Sequence, residues 1–275
     1  MVTRRDYTAK AVEAAKSVMV ELIHLLGEYR DDIVLIGGWV PELLLPQKPR
    51  PHVGSIDIDL ALNHRKIHDE GYKLIEELLK SRGYYQGKQP FIFMRDVPVG
   101  ERVITVQVDL LSGEYEGTAR GHRHQVVQGL KARKVRGCDL AFDMTREVTV
   151  EGELPGGGVD RVTIRVASFV PFFVMKGMAL DERLKEKDAW DIYYCLITYP
   201  GGIDALAEEF KPHISNSTVR EGLAKIAKHF SSITSLGPKF VADFEGLDNP
   251  DVRELIIRDA FERVNTFLKI LGIVS

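Results

Sequence analysis

The sequence predicts an α+β protein: a mixed or antiparallel sheet with flanking helices, followed by a helical C-terminal domain, with the boundary near residue 168. Three observations carry that expectation. Short apolar runs that stop at glycines or turn residues alternate with amphipathic helical stretches over residues 7–82. Two hairpin signals, DVPVGE and PGGGVD, join strand-like runs in the middle third. From Pro171 to the end, the apolar residues recur at helical spacing.

Taken in order, Ala11, Val12, Ala15, Val18, Leu22, Leu25 and Leu26 mark one face of a helix over 7–30. IVLIGG (33–38) is a buried strand stopped by two glycines. WVPELLL leaves those glycines directly as a short helix, with Pro41 tolerable only near a helix start. PQKPRPHVG (46–54) must be a loop, and SIDIDLALN is the next strand. Asn63 is placed to cap a helix over 64–82 that turns Ile67, Leu74, Ile75, Leu78 and Leu79 inward. FIFMR and RVITVQVDLL form one hairpin, and EVTVEGEL and RVTIRVAS form a second. FFVMKGMALDERLKEKDAWDIYYCLI is one or two helices. Asn249-Pro250 opens a last helix with Val252, Leu255, Ile256, Phe261, Val264, Phe267 and Leu268 as its core stripe.

Composition narrows the function classes. The 275 residues are 44% hydrophobic and 28% charged, ordinary for a globular chain. A net charge of -3 confines any nucleic-acid or nucleotide site to a local basic patch. With only Cys138 and Cys195 and no CxxC pair, neither a disulfide framework nor a structural zinc site is expected. No apolar run approaches the roughly 18 residues of a membrane span, and MVTRRDYTAK lacks the apolar region of a signal peptide, so a cytoplasmic protein is expected.

The segment GSIDIDL carries the chemical question. Period-two alternation puts Asp57 and Asp59 on one face, where like charges repel, and Asp is a poor strand former. Two solutions are open: a divalent cation between the carboxylates, or plain solvent at an edge strand. The glycines Gly37 and Gly38 let backbone N–H groups approach a phosphate at a strand-to-helix turn. Paired carboxylates hold Mg²⁺, which bridges protein to substrate phosphates, and a third acid, Asp109 in VQVDLL, completes a metal site or takes a proton.

The ordered set strand-GG-helix, strand-DxD, strand-D resembles the polymerase β-like nucleotidyltransferase superfamily on IGGWVPELLL and GSIDIDL. VMKGMALDERLKEKDAWDIYY resembles the helical motifs of the AbiEii/AbiGii toxin-type nucleotidyltransferases, with Lys176, Ala179, Arg183, Lys187, Asp188 and Asp191 in the family order. The resemblance runs from residue 33 to about 194. It implies a nucleotidyltransferase-like catalytic domain over 1–168 and a helical domain over 169–275 that contributes Lys and Asp to the site. Asp57, Asp59 and Asp109 would ligate Mg²⁺ or Mn²⁺. Gly37, Gly38, Ser55, Lys176 and Arg183 would hold a nucleoside triphosphate, and Lys176, Asp188 and Asp191 would join the acids in catalysis. The implied acceptor is RNA, with the 3′ end of tRNA as its specific form, and the implied role is that of a toxin with a separate antitoxin.

The residues leave rivals in view. A small-molecule transferase of the aminoglycoside type shares the first motif. A non-catalytic nucleotide- or RNA-binding protein shares the fold. ARGHRHQVVQGLKARKVR (119–136), with six Lys/Arg and no acid, favours a polyanion, although a solvated basic face fits it too. Trp39 is read as core packing ahead of base stacking.

Overall fold

The computed structural model describes residues 3–47, 50–63, 65–67, 69–113, 124–127 and 130–274. The chain forms two compact units. One, the sheet unit, comprises Thr8–Val40 and Gly54–Ser168; the other, the helical unit, comprises Met1–Tyr7, Pro41–Val53 and Phe169–Ser275. No helix among the described residues is long and apolar enough to cross a membrane.

The sheet unit opens with α1 (Ala9–Leu25), whose first turn is capped by the Thr8 hydroxyl accepting from the Ala11 N–H. Next come β1 (Ile33–Ile36), buried along its whole length, and the start of α2 (Trp39–Leu44), whose residues from Pro41 onward belong to the helical unit. Pro41 sits at the third helical position, where a missing N–H leaves no helical bond unmade. After β2 (Asp57–Leu62) and α3 (Asp69–Ser81) come β3 (Tyr85–Gln86), β4 (Ile92–Val99) and β5 (Arg102–Ser112). A ribbon of β6 (His124–Val127) and β7 (Leu130–Lys134) leads to α4 (Leu140–Asp143). The hairpin β8 (Thr145–Glu153) and β9 (Val159–Ala167) completes the unit.

These strands form one nine-stranded mixed sheet among the described residues, in the order β3-β4-β5-β2-β1-β9-β8. β6 pairs with β7, and β7 runs parallel to the end of β5. β2 is therefore an inner strand, parallel to β5 and antiparallel to β1. The solvated edge-strand explanation of Asp57 and Asp59 does not hold. Arg95 of β4, whose register partner is Val106, reaches Glu21 of α1 at 3.0 Å. So α1 lies on the face that carries Val106, Val108, Leu110, Ile58 and Leu60, all buried. The aspartates are on the opposite face.

Several expected boundaries move. The first hairpin is tighter than DVPVGE suggests: β4 continues through Pro98 to Val99, and Gly100-Glu101 alone make the turn. Pro98 is tolerated because, among the described residues, β3 pairs only with Phe93 and Met94, so the far edge of β4 asks no N–H of it there. Asn63 does not cap α3. Its carbonyl accepts from Lys66 and Ile67 and its side chain from Arg65, closing a separate turn, and the helix starts at Asp69. Ile67, Ile75 and Leu79 are buried as expected, whereas Leu74 is 42% exposed on the helix flank.

In the helical unit, α5 (Phe169–Arg183) and α6 (Glu186–Thr198) are separate helices. α7 (Gly202–Phe210), α8 (Ser217–His229), α9 (Leu236–Glu245) and α10 (Pro250–Ile270) follow. Asn249 caps α10, accepting from Asp251 and Val252 with Pro250 in the first turn, as the sequence predicts. The rings of Phe173, Phe210 and Phe267 meet at 5.0–5.4 Å in the core. The stripe of α10 is narrower than expected. Ala260, Val264, Phe267 and Leu268 are buried, but Val252 is 41% and Leu255 66% exposed, the latter one turn ahead of Asp259 on the polar side.

Candidate functional site

The acidic residues of the sheet unit converge through strand register. On the parallel pair of β2 and β5, Asp57 stands opposite Gln107 and Asp59 opposite Asp109. Directly opposed residues share a face, so three acids and one amide occupy the corners of a four-residue patch. All four are half-buried. Two carboxylates about 5 Å apart repel by roughly 3 kcal/mol at an effective dielectric of about 20, a cost that partial exposure to water reduces.

The surrounding chain holds these acids in place. Ser55 Oγ donates to Asp57 Oδ1, and Ser55 is 3% exposed. Trp39 Nε1 donates to the Asp57 carbonyl at 2.9 Å. Trp39 is thus a buried strut beneath the acidic strand, in keeping with its expected packing role. Gln107 Nε2 donates to Asp109 Oδ1 at 2.8 Å. Gly37, at φ +74°, lies under Asp59: a Cβ there would stand 2.0 Å from Asp59 Oδ2. Only glycine admits both that backbone conformation and that carboxylate. Gly38 is buried in the turn that follows. Cys138 is fully buried, and burial first, then the nearby Asp139 and Asp59 charges, push its thiol far above its ordinary range.

Hard carboxylate oxygens are the donor set that Mg²⁺ or Mn²⁺ selects. No group of three His, Cys, Asp or Glu side chains among the described residues is by itself arranged to hold a metal ion. The set fits Mg²⁺ all the same, because that ion is usually bound through one or two carboxylates, with water and substrate phosphate filling the rest.

The helical unit holds a different cluster. Lys176 on α5 meets Asp188 Oδ1 at 2.8 Å and Asp191 Oδ2 at 2.6 Å, both on α6. Arg183 grips Asp188 with two parallel bonds of 2.7 and 2.8 Å. Leu184, at φ +50°, makes the bend between α5 and α6 just beyond that arginine. Lys187 binds Asp191 from one turn below at 2.9 Å, and His52 Nε2 stands 3.0 Å from the same Asp191 Oδ1. Lys176, Lys187, Asp188, Asp191 and His52 are all under 9% exposed.

Burial alone would drive each of these groups to its neutral form, and the pairing decides otherwise. Burial raises the carboxyls of Asp188 and Asp191, but Lys176 with Arg183, and Lys176 with Lys187, outweigh it and hold both below the usual carboxylate range. Burial lowers Lys176, and the two carboxylates outweigh it and hold the ammonium above its ordinary value. His52 goes the other way. Burial outweighs Asp191 and brings the imidazole down to about 4.

The structure thus places the expected residues in two sets. Gly37, Gly38, Ser55, Asp57, Asp59 and Asp109 belong to the sheet unit; Lys176, Arg183, Asp188 and Asp191 belong to the helical unit. As placed, Lys176 and Arg183 are counter-ions of buried carboxylates. Sequence reasoning missed the contributions of Gln107 and His52. Gln107 precedes Asp109 by two residues and so shares its face, a signal present in VQVDLL. Nothing local marks His52. Of the basic stretch 119–136, residues 119–123 and 128–129 lie outside the described residues, His122 among them. Arg133 faces Leu111 across β7 and β5, so it shares the face of Asp109.

No protein-family model matches the chain, and no curated protein or solved structure is significantly similar to it.

Proposed function

We propose that the chain is a Mg²⁺-dependent nucleotidyltransferase that moves a nucleoside monophosphate from a nucleoside triphosphate to an acceptor hydroxyl. The observation that carries the reading is the register that sets Asp59 opposite Asp109 on two inner parallel strands, beside Asp57 and over a glycine that only glycine can replace. Three carboxylates on one face of a sheet interior are costly unless cations use them. Asp57 and Asp59 would hold the ion, which when bound neutralises triphosphate charge.

The reaction asks little covalent chemistry of the protein. The acceptor oxygen forms a bond to the α-phosphorus, the bond from that phosphorus to the β-phosphate oxygen breaks, and pyrophosphate leaves. Asp109 receives the hydroxyl proton. Positioning and charge neutralisation supply the rate.

The acceptor in this proposal is RNA, with the tRNA 3′ end as its specific form, and the biological role is that of an AbiEii-like toxin held in check by an antitoxin in the cytoplasm. Support for the acceptor is the basic 119–136 stretch and the placement of Arg133 on the carboxylate face of the sheet. Support for the toxin role is the likeness of the two motifs alone.

The test is transfer of label from each of four α-labelled triphosphates into total RNA with Mg²⁺, beside an Asp57→Ala/Asp59→Ala control. Label in RNA from one triphosphate, absent in the control, is the expected outcome. Label in a small molecule such as an aminoglycoside would move the enzyme to the rival class. RNA retention without pyrophosphate release, unchanged in the control, would make the chain a binding protein.

A further inference from the structure

Resting on that reading, we infer that Gln107 is a positioning residue of the transfer reaction: its carboxamide holds the Asp109 carboxylate in the orientation in which it takes the acceptor's proton. Three observations meet here. Gln107 shares the face of the three acids, opposite Asp57 and two residues before Asp109 on β5. Its Nε2 donates to Asp109 Oδ1 at 2.8 Å. Asp57 is held in the same fashion, its Oδ1 accepting from the Ser55 hydroxyl.

The pattern has a chemical logic. An aspartate carboxylate, on its single methylene, swings about its last torsion, and a donor on one oxygen stops that rotation at little cost. Any acid at position 107 would make a fourth like charge in the patch, whereas an arginine or lysine would bring a cation to compete with a bound metal. An amide donates without carrying charge and is long enough to reach Asp109 from two residues away on the same face. It also lies at the corner diagonal to Asp59, so it braces Asp109 while leaving the opposed Asp59 and Asp109 side by side. Groups that orient metal-site carboxylates from behind change affinity or activity by about 10–100-fold when lost.

The test uses the full chain with two substitutions. Gln107→Met keeps the length and removes the donor. Gln107→Glu keeps length and polarity but turns the donor into a charge. For Gln107→Met, calorimetric titration with Mn²⁺ alone should show binding within about twofold of the wild type, because Asp57 and Asp59 hold the ion, whereas kcat for transfer should fall by about 10–100-fold with KM for the triphosphate within about twofold. For Gln107→Glu, Mn²⁺ should bind at least as tightly as to the wild type while kcat still falls. That split between metal affinity and turnover is one a merely structural amide would not produce.

Wild-type kcat in either folded variant overturns the inference, and if the Met variant fails to fold, the Glu variant decides alone. Failure of this inference and of the reading beneath it are distinguishable. Variants that match an active wild type remove Gln107 only, whereas a wild type that neither binds Mn²⁺ nor transfers label removes the transferase as well.

Discussion

Below neutral pH the helical unit should lose stability through a single imidazole. His52 has its ring packed 5.1 Å from Trp190 and 4.8 Å from Tyr194, with Asp191 at 3.0 Å and Glu42 at 4.0 Å. Lys187 and Lys176 oppose its protonation and Asp191 favours it, but burial dominates and sets the value near 4 against 6.5 in an exposed chain. Because the folded value is the lower one, the unfolded chain takes up a proton first as pH falls. Stability is unaffected above about pH 7, declines through the interval between the two values, and has lost about 3 kcal/mol once both states are protonated. Between about pH 7 and pH 5 the part expressed is about 2 kcal/mol.

The neighbouring acids titrate outside that window. Asp188 and Asp191 have depressed values, so their contribution is present above the ordinary carboxylate range and is lost only as pH falls below it. The raised Lys176 matters only in strong alkali. The perturbation is His52→Gln, which keeps a donor for Asp191 and cannot titrate. The assay is urea unfolding followed by Trp190 fluorescence in a Trp39→Phe background, which leaves one tryptophan in the helical unit. The variant should be the less stable protein at pH 7, having lost its ring contacts, yet the gap should close by about 2 kcal/mol at pH 5. Parallel stability curves for the two proteins across that interval would refute the argument.

Three further outcomes follow from distances and registers given above. Gly37→Ala should drive Asp59 off its place, since its Cβ would lie 2.0 Å from Oδ2 at φ +74°; melting should show a loss of about 1–3 kcal/mol, together with a lost Mn²⁺ response. Asp188→Ala removes one of the two carboxylates that hold the buried Lys176 and should cost about 3–5 kcal/mol by urea unfolding, and Lys176→Met/Asp188→Leu should recover much of it. Arg133→Ala should make the slope of log affinity for RNA against log salt shallower by about 1 in filter binding; an unchanged slope would exclude a phosphate contact there.

Element types were legible where periodicity was strong and bounded. The buried run of β1 stopped by glycines, the hairpin of β8 and β9 around PGGGVD, and the Asn249-Pro250 start of α10 all depend on residues within a few positions of one another. The expectations that failed needed distant information. Asn63 has the chemistry of a cap, and whether it closes a turn or starts a helix depends on where the following chain must go. Leu255 has the composition of a core residue, yet its side of α10 faces the solvent. β6 (HQVV) and β7 (LKARK) are short and lie in the stretch 119–136, whose six Lys/Arg point to a basic surface before they point to strands.

For the candidate site, the sequence by itself determined the chemistry available: three acids on strand-like runs, a pair of glycines at a turn, and a lysine and two aspartates on helices. Side-chain type and period are local properties, and they survive without a fold. Only the tertiary structure decided that Asp59 stands opposite Asp109, that Gln107 braces that acid, and that His52 shares Asp191 with two lysines. Those facts depend on register between strands some fifty positions apart and on burial of charge against charge. A chain acquires both only when packing closes its loops, so no window of sequence contains them.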